Sequence, residues 1–265
     1  MTRIKKCFEK LRQQNEKALV AFITGGDPDL ETTKRLILAL GKNGADIIEI
    51  GVPFTDPLAD GPVILKSALR SLNAGTTLNK ILQMVKDVRT NSQIPIMLMS
   101  SYNPIFVHGE ENFVDDAVTS GVDGVIIPDL PPDESERFEG YAKEKDLDVI
   151  YLLAPTSAPE RIEMVVNRSA GFIYYISLTG VTGTRERMPD GLAGKVAQIK
   201  EKAKIPVLIG FGISGPKQAA EACKISDGVI VGSAIVKLIE SNSGSTQCEF
   251  AVSDFIAKLK AAIKG

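Results

Sequence analysis

Histidine occurs once, as His108, and cysteine three times, as Cys7, Cys223 and Cys248, in a chain of 265 residues. A zinc site built on several histidines is therefore excluded, and a Ser-His-Asp triad would rest on His108 alone. His108 ends an apolar run and precedes Gly109, a setting that suits a structural or surface role. The cysteines are odd in number and far apart, which suggests neither a disulfide framework nor a metal knot. Excess charge of one sign is also lacking: 31 basic and 33 acidic residues leave a net charge of −2. With no basic stripe, a nucleic-acid partner is not expected. No apolar run reaches the roughly 18 residues that span a bilayer, so no membrane partner is expected either. The opening stretch, M-T-R-I-K-K-C-F-E-K, lacks the apolar core of a signal peptide. A cytoplasmic protein is expected, or one of an organelle stroma if a transit peptide has been removed.

The composition, 44% hydrophobic and 24% charged, is that of an ordinary soluble globular chain. Short apolar runs recur along it. They cover Leu19–Thr24, the stretch around Ile47–Ile50, Ile96–Ser101, Gly124–Ile127, Asp148–Leu153, Phe172–Ser177, Val207–Phe211 and Gly228–Val231. Helical patterns separate them, and most strands end in glycine or proline, as in Gly25-Gly26-Asp27-Pro28. Strict β-α alternation predicts a parallel sheet, and eight such units predict an α/β fold of the (β/α)8 TIM-barrel type. A doubly wound open sheet is the alternative, but no G-x-G-x-x-G follows the first strand. A polar helix over 2–15 precedes the first strand, with Ile4, Phe8 and Leu11 at helical spacing to cover the barrel's bottom. One domain spanning 1–265 is expected, since roughly 250 residues suit such a barrel.

Two intervals are long, after the second strand and after the sixth. The first holds the Pro53–Gly61 loop and two helices, near Val63–Leu72 and Leu78–Thr90. The second holds Leu178 to Asp190 and is expected to act as a lid.

The stretch Asp46–Gly61, D-I-I-E-I-G-V-P-F-T-D-P-L-A-D-G, carries the clearest chemistry. Glu49 stands amid Ile47, Ile48 and Ile50, and an acid in an apolar strand is costly unless paired or used. Burial would raise its pKa and suit it to proton transfer near neutral pH. The loop that follows is stiffened by Pro53 and Pro57 and offers Asp56 and Asp60, so Glu49 and Asp60 could share one cleft. On pattern alone, Glu49 could equally be a buried ion-pair partner and the aspartates turn residues. Later strand ends are rich in glycine: Gly180-Val181-Thr182-Gly183, Gly210-Phe211-Gly212-Ile213-Ser214 and Gly232-Ser233. Such ends let backbone N–H groups approach a phosphate, and Gly232-Ser233 opens a helix whose N-terminus favours an anion. They could also merely turn the chain.

The acid stretch E-I-G-V-P-F-T-D-P-L-A-D-G, with A-F-I-T-G-G-D-P before it and G-V-T-G, G-F-G-I-S and G-S after it, resembles the tryptophan synthase α subunit family from Ala21 through Ile235. The resemblance implies a lyase of tryptophan biosynthesis, which cleaves indole-3-glycerol phosphate in retro-aldol fashion to indole and glyceraldehyde 3-phosphate. It implies Glu49 as general acid and base, and Asp60 as acceptor of the indole N–H. Phe22, Ile64, Ile127, Ile173 and Phe211 become candidate walls for indole, each also a plausible core residue. Tyr174 matches a family tyrosine near Glu49, and Thr182 a lid threonine beside the catalytic aspartate. Gly183, Gly212, Gly232 and Ser233 fall in the phosphate motifs.

Pro53 and Asp56 fall where the family meets its β subunit in an α2β2 complex. The β subunit carries the pyridoxal phosphate, so no cofactor is expected in this chain. The chain departs from common family residues at Leu65, Ser101 and Leu178, which touch lid strength, pocket shape and partner coupling rather than the acids. An indole-glycerol-phosphate synthase would want a strand-end lysine and a pentose-phosphate epimerase metal-binding histidines. Neither is found. A non-catalytic subunit that only activates its partner is the reading from another class.

Overall fold

A computed structural model describes residues 1–58, 60–176, 191–210, 212–245 and 247–264. Nine parallel strands form its sheet, in the spatial order β5-β4-β3-β2-β1-β9-β8-β7-β6. These are β1 (Ala18–Thr24), β2 (Ile47–Gly51), β3 (Ile96–Met99), β4 (Gly124–Ile126), β5 (Asp148–Val149), β6 (Leu152–Leu153), β7 (Ile173–Ile176), β8 (Val207–Gly210) and β9 (Gly228–Val231). The single strand predicted over 148–153 is thus two pieces, and these pieces are the two edges of the sheet. The seam has a backbone reason. Ile150 N–H donates to Val125 of β4 at 3.0 Å, whereas Tyr151 accepts from Tyr174 N–H of β7 at 3.2 Å. One stretch of chain therefore serves both edges and closes the barrel.

Alternation sorts the strand residues into two layers. Ala18, Val20, Ile47, Met97, Ile126, Ile150, Phe172, Leu208 and Ile230 pack together inside the barrel. Their neighbours, such as Leu19, Ile48, Leu98, Val125, Ile173 and Val229, pack outward against the helices. Helix α1 (Arg3–Gln13) sends Ile4, Phe8 and Leu11 into the inner layer, with Phe8 5.8 Å from the Phe172 ring. It therefore plugs the end where strands begin. Thr2 caps α1 and donates to Asp148 at 2.8 Å, and Arg3 pairs with Asp123 at 2.9 Å. At the same end Lys260, from the C-terminal helix Cys248–Ile263, reaches Asp46 at 2.9 Å and Glu16 at 3.2 Å.

The connecting helices carry ordinary start signals. Asp29 caps α2 (Leu30–Lys42) by accepting from Thr32 N–H at 2.7 Å, and Pro62 occupies the first turn of α3 (Pro62–Asn73). Helix α4 (Leu78–Val88) follows in the same long interval, as predicted. The other long interval lies at 177–190, outside the described residues. His108 has a structural setting: Nε2 lies 2.8 Å from Asp116, and the ring meets Phe113 edge-on at 6.5 Å.

Candidate active site

Glu49 stands mid-strand on the inner face of β2, in register with Phe22 of β1 and Met97 of β3. Its neighbours Ile48 and Ile50 point to the helices, so parity alone drives the carboxyl into the barrel. It is fully buried, and neither oxygen has a hydrogen-bond partner among the described residues. Burial, and then the charge of Asp60, push its pKa up to about 8. The acid is therefore held protonated at neutral pH.

Asp60 ends the loop after β2, immediately before Gly61, the N-cap of α3. It is half-buried, and that burial lifts its pKa to about 6. Tyr174, inward on β7, completes the group. Burial first, then the charges of Glu49 and Asp60, raise its phenol well above its ordinary 10.0. Its ring occupies space that only a glycine leaves free, since a Cβ on Gly210 would lie 2.4 Å from Tyr174 Cε1. Three titratable groups from β2, its loop and β7 thus share one neighbourhood at the strands' carboxyl ends.

A cavity of about 230 Å³ opens beside them, lined by Phe22, Thr24, Ile64, Asp60, Met99 and Asp129 among others. The Phe22 ring is wedged between two glycines: a Cβ on Gly51 would lie 2.7 Å from it, and one on Gly232 would lie 3.2 Å away. Gly232 caps α11 (Ser233–Ser241), so the aromatic wall and that helix N-terminus meet. Ser233 is half-buried there, and Gly212, in the loop after β8, is half-buried as well. Larger hollows, of about 1000 and 1300 Å³, lie around α1 at the opposite end of the barrel and contain neither Glu49 nor Asp60.

The structure corrects part of the expected wall. Ile127 and Ile173 sit in the layer between sheet and helices, because each is one residue out of phase with an inward neighbour, Ile126 and Tyr174. Phe22 and Ile64 do line the cavity. Thr182, Gly183 and Phe211 lie outside the described residues. Pro53 is buried and lines the cavity, whereas Thr55, Asp56 and Leu58 are the exposed residues among those described in that loop. Thr24, Met99 and Asp129 were not anticipated. Met99 shares parity with Met97, and Asp129 follows a strand end, so both signals were present in the sequence.

Comparison with known proteins agrees with the geometry. The sequence profile of a family described as tryptophan synthase alpha chain matches residues 8–264. A tryptophan synthase alpha chain from Geotalea uraniireducens is 54% identical over 264 residues, covering 100% of this chain and 98% of that one. Tryptophan synthase subunit alpha from Legionella pneumophila superposes with a TM-score of 0.92 at 36% identity, covering 99% of this chain and 98% of that one. A Mycobacterium tuberculosis tryptophan synthase chain gives 0.92 at 33% identity, with 100% and 99% covered.

Proposed function

The chain belongs to the tryptophan synthase alpha chain family, and from that premise we propose how its residues divide the work. The reaction is the retro-aldol cleavage of indole-3-glycerol phosphate to indole and glyceraldehyde 3-phosphate. Glu49, protonated at neutral pH, gives its proton to C3 of the indole ring. Positive charge then develops at the ring nitrogen. The Asp60 carboxylate accepts the N–H and stabilises that charge in a site largely shut off from water. Glu49, now a carboxylate, takes the proton from the hydroxyl beside the breaking bond. The C–C bond pair returns to the ring as the aldehyde forms, and Glu49 ends with the proton it started with. The single observation that carries this assignment is the fully buried, unpartnered Glu49, whose pKa burial pushes to about 8. No strand among the described residues carries a lysine for Schiff-base chemistry.

Phe22 and Ile64 flank the indole, and Tyr174 closes the site behind Glu49. Gly212, Gly232 and Ser233 receive the phosphate at the N-terminus of α11, where backbone N–H groups and the helix dipole favour an anion. Thr182, Gly183 and Phe211 keep the roles the resemblance implies. The chemistry needs no cofactor in this chain, because side chains carry both protons.

Indole passes to a β subunit, which holds the pyridoxal phosphate, in an α2β2 complex. Exposed Asp56 supports that reading, as do the apolar side chains of Leu58 in the same loop and Phe106 and Val107 in α5 (Tyr102–His108), the helix after β3. No helix among the described residues is long and apolar enough to cross a membrane. We place the complex in the cytoplasm.

The test is cleavage of indole-3-glycerol phosphate by the purified chain, with and without β subunit, beside Glu49→Gln. Activity that the variant lacks, stimulated by β, is the expected result. Absence of cleavage in both conditions, with the phosphate ligand still bound, would instead indicate a subunit that only activates its partner.

A further inference from the structure

Helix α3 begins two residues after Asp60, so its seat on the barrel decides where that carboxylate stands. Its fully buried residues are small: Ser67, Ala68 and Ser71. Helix α4, by contrast, buries Ile81, Leu82, Met84, Val85 and Val88. Burial of large apolar side chains, the usual means of fixing a helix on a sheet, is thus weak in α3. Polar contacts stand in its place. Ser67 Oγ lies 2.6 Å from Thr24 Oγ1, and Ser71 Oγ donates to the Gly25 carbonyl at 2.5 Å. Arg70 forms a two-pronged pair with Asp27, Nε to Oδ1 and Nη2 to Oδ2, each at 2.8 Å. Asp27 is 1% exposed. The remaining nitrogen of the fork, Nη1, donates to Glu240 of α11 at 2.8 Å.

The hydrogen bonds of Ser67, Ser71 and Arg70 to Thr24, Gly25 and Asp27 tie α3 to the turn after β1 and to the end of β1 itself, the strand that carries Phe22 and pairs with β2 opposite Glu49, while α3 also packs on α11. Arg70 also donates to α11, whose N-terminus lies against Phe22. From this we infer that Arg70 is a positioning residue for the reaction: by clamping α3 to Asp27 it fixes Asp60 against Glu49 and the indole wall. The inference rests on the role proposed above for Asp60. A bidentate guanidinium–carboxylate pair sets both distance and orientation, which a single point contact does not. A helix is stiff over its few turns, so slack at Arg70 is carried to the residue at its head. The Glu240 arm contributes little, because its side chain is 44% exposed and such pairs are weak.

The test compares wild type, Arg70→Gln, Arg70→Lys and Glu240→Gln. Two quantities are read: steady-state cleavage of indole-3-glycerol phosphate, and titration of the Asp60 carboxyl by 13C NMR in the substrate-free protein, assigned with Asp60→Asn. In Arg70→Gln, kcat is expected to fall about tenfold or more while KM stays within about threefold, the signature of a displaced reacting group rather than a lost binding contact. The Asp60 titration is expected to move down towards the ordinary carboxylate range as water reaches it, with Glu49 and Tyr174 still facing it. Glu240→Gln is expected to leave both readings within about twofold of wild type.

A folded Arg70→Gln with unchanged kcat and unchanged Asp60 titration would overturn the inference, as would a change confined to KM. Should Arg70→Gln not fold, Arg70→Lys, which keeps the charge but not the fork, decides by the same criteria. If wild type itself cleaves no substrate, the reading of the site fails, whereas the titration still decides whether Arg70 holds Asp60.

Discussion

Replacing Glu49 with glutamine should make the protein more stable at high pH, and the size of the gain follows from its burial. Glu49 lies in the barrel with no partner for either oxygen among the described residues, and its pKa rises from an ordinary 4.5 to about 8. An acid whose folded value exceeds its unfolded value binds its proton more tightly in the native state. Between the two values the native state therefore holds the extra proton, and stability falls as pH rises. The favourable contribution is whole below about pH 4.5 and is lost as the pH climbs through about 8. At about 1.4 kcal/mol per pH unit, the full span amounts to about 5 kcal/mol. That is comparable with the 5–15 kcal/mol total stability typical of a domain, so the effect is measurable. Glutamine keeps the shape and has no charge to bury. Urea denaturation of both proteins, followed by far-ultraviolet circular dichroism at fixed ionic strength from pH 5 to pH 9, reads the difference. Because Asp60 is present in both, its own titration largely cancels. The advantage of Glu49→Gln should grow by several kcal/mol across that range, in a protein that no longer cleaves substrate. A difference that does not vary with pH would refute the reasoning. One that shrinks as pH rises would mean that Glu49 is paired with a cation in the folded protein.

The mechanism proposed here needs Asp60 ionised and Glu49 protonated, so kcat/KM should follow a bell. It should fall below about pH 6 as Asp60 takes up a proton and above about pH 8 as Glu49 loses one. The two acids are coupled, so the limbs belong to the pair, and Asp60→Asn should lower kcat and flatten the acid limb. A flat profile in wild type from pH 5 to pH 9 would contradict this. Gly51→Ala would place a Cβ 2.7 Å from Phe22 Cζ, and Gly232 blocks the ring's retreat on the other side. Overpacking of that kind should destabilise by about 1–3 kcal/mol and raise KM for the indole substrate. Denaturation and steady-state kinetics that both match wild type would show that the ring is not held there.

Much of the barrel was legible because its signals are local. Short apolar runs ended by glycine or proline located the units, and an acid amid three isoleucines singled out Glu49 as a candidate before any fold was known. The break in the strand over 148–153 was not legible. It arises from ring closure, in which Ile150 and Tyr151 bond to opposite edges of the sheet, and nothing within six residues announces that. One misplaced wall was avoidable. Ile173 and Tyr174 are adjacent in one strand and cannot both face inward, so assigning Tyr174 to the site already excluded Ile173. Ile127 differs, because only the structure shows that its neighbour Ile126 is the one that faces inward. The pairing of Asp27 with Arg70, 43 residues apart, has no sequence pattern at all.

The two ends of the barrel hold themselves together by different means, and the difference follows from the chemistry at the top. Below, α1 plugs the inner layer with Ile4, Phe8 and Leu11, and Lys260 is enclosed by Asp46 and Glu16. Apolar area and satisfied charge both favour a fixed structure there. Above, an acid is buried without a partner, a phenol lies where its ionised form is disfavoured, and the helix behind Asp60 is seated on serines and one arginine fork. Large apolar side chains on α3 would seat it more firmly, but they would fill the space beside Thr24 and Ile64 that the cavity occupies. A guanidinium fork fixes orientation from further down the helix and leaves that space open. An unpaired Glu49 is tolerable for a related reason. Any cation close enough to stabilise its carboxylate would lower its pKa and remove the proton that the proposed mechanism delivers to C3. On the proposed mechanism the strain at the top is a condition of the reaction, and the stability that offsets it comes from the opposite end of the barrel.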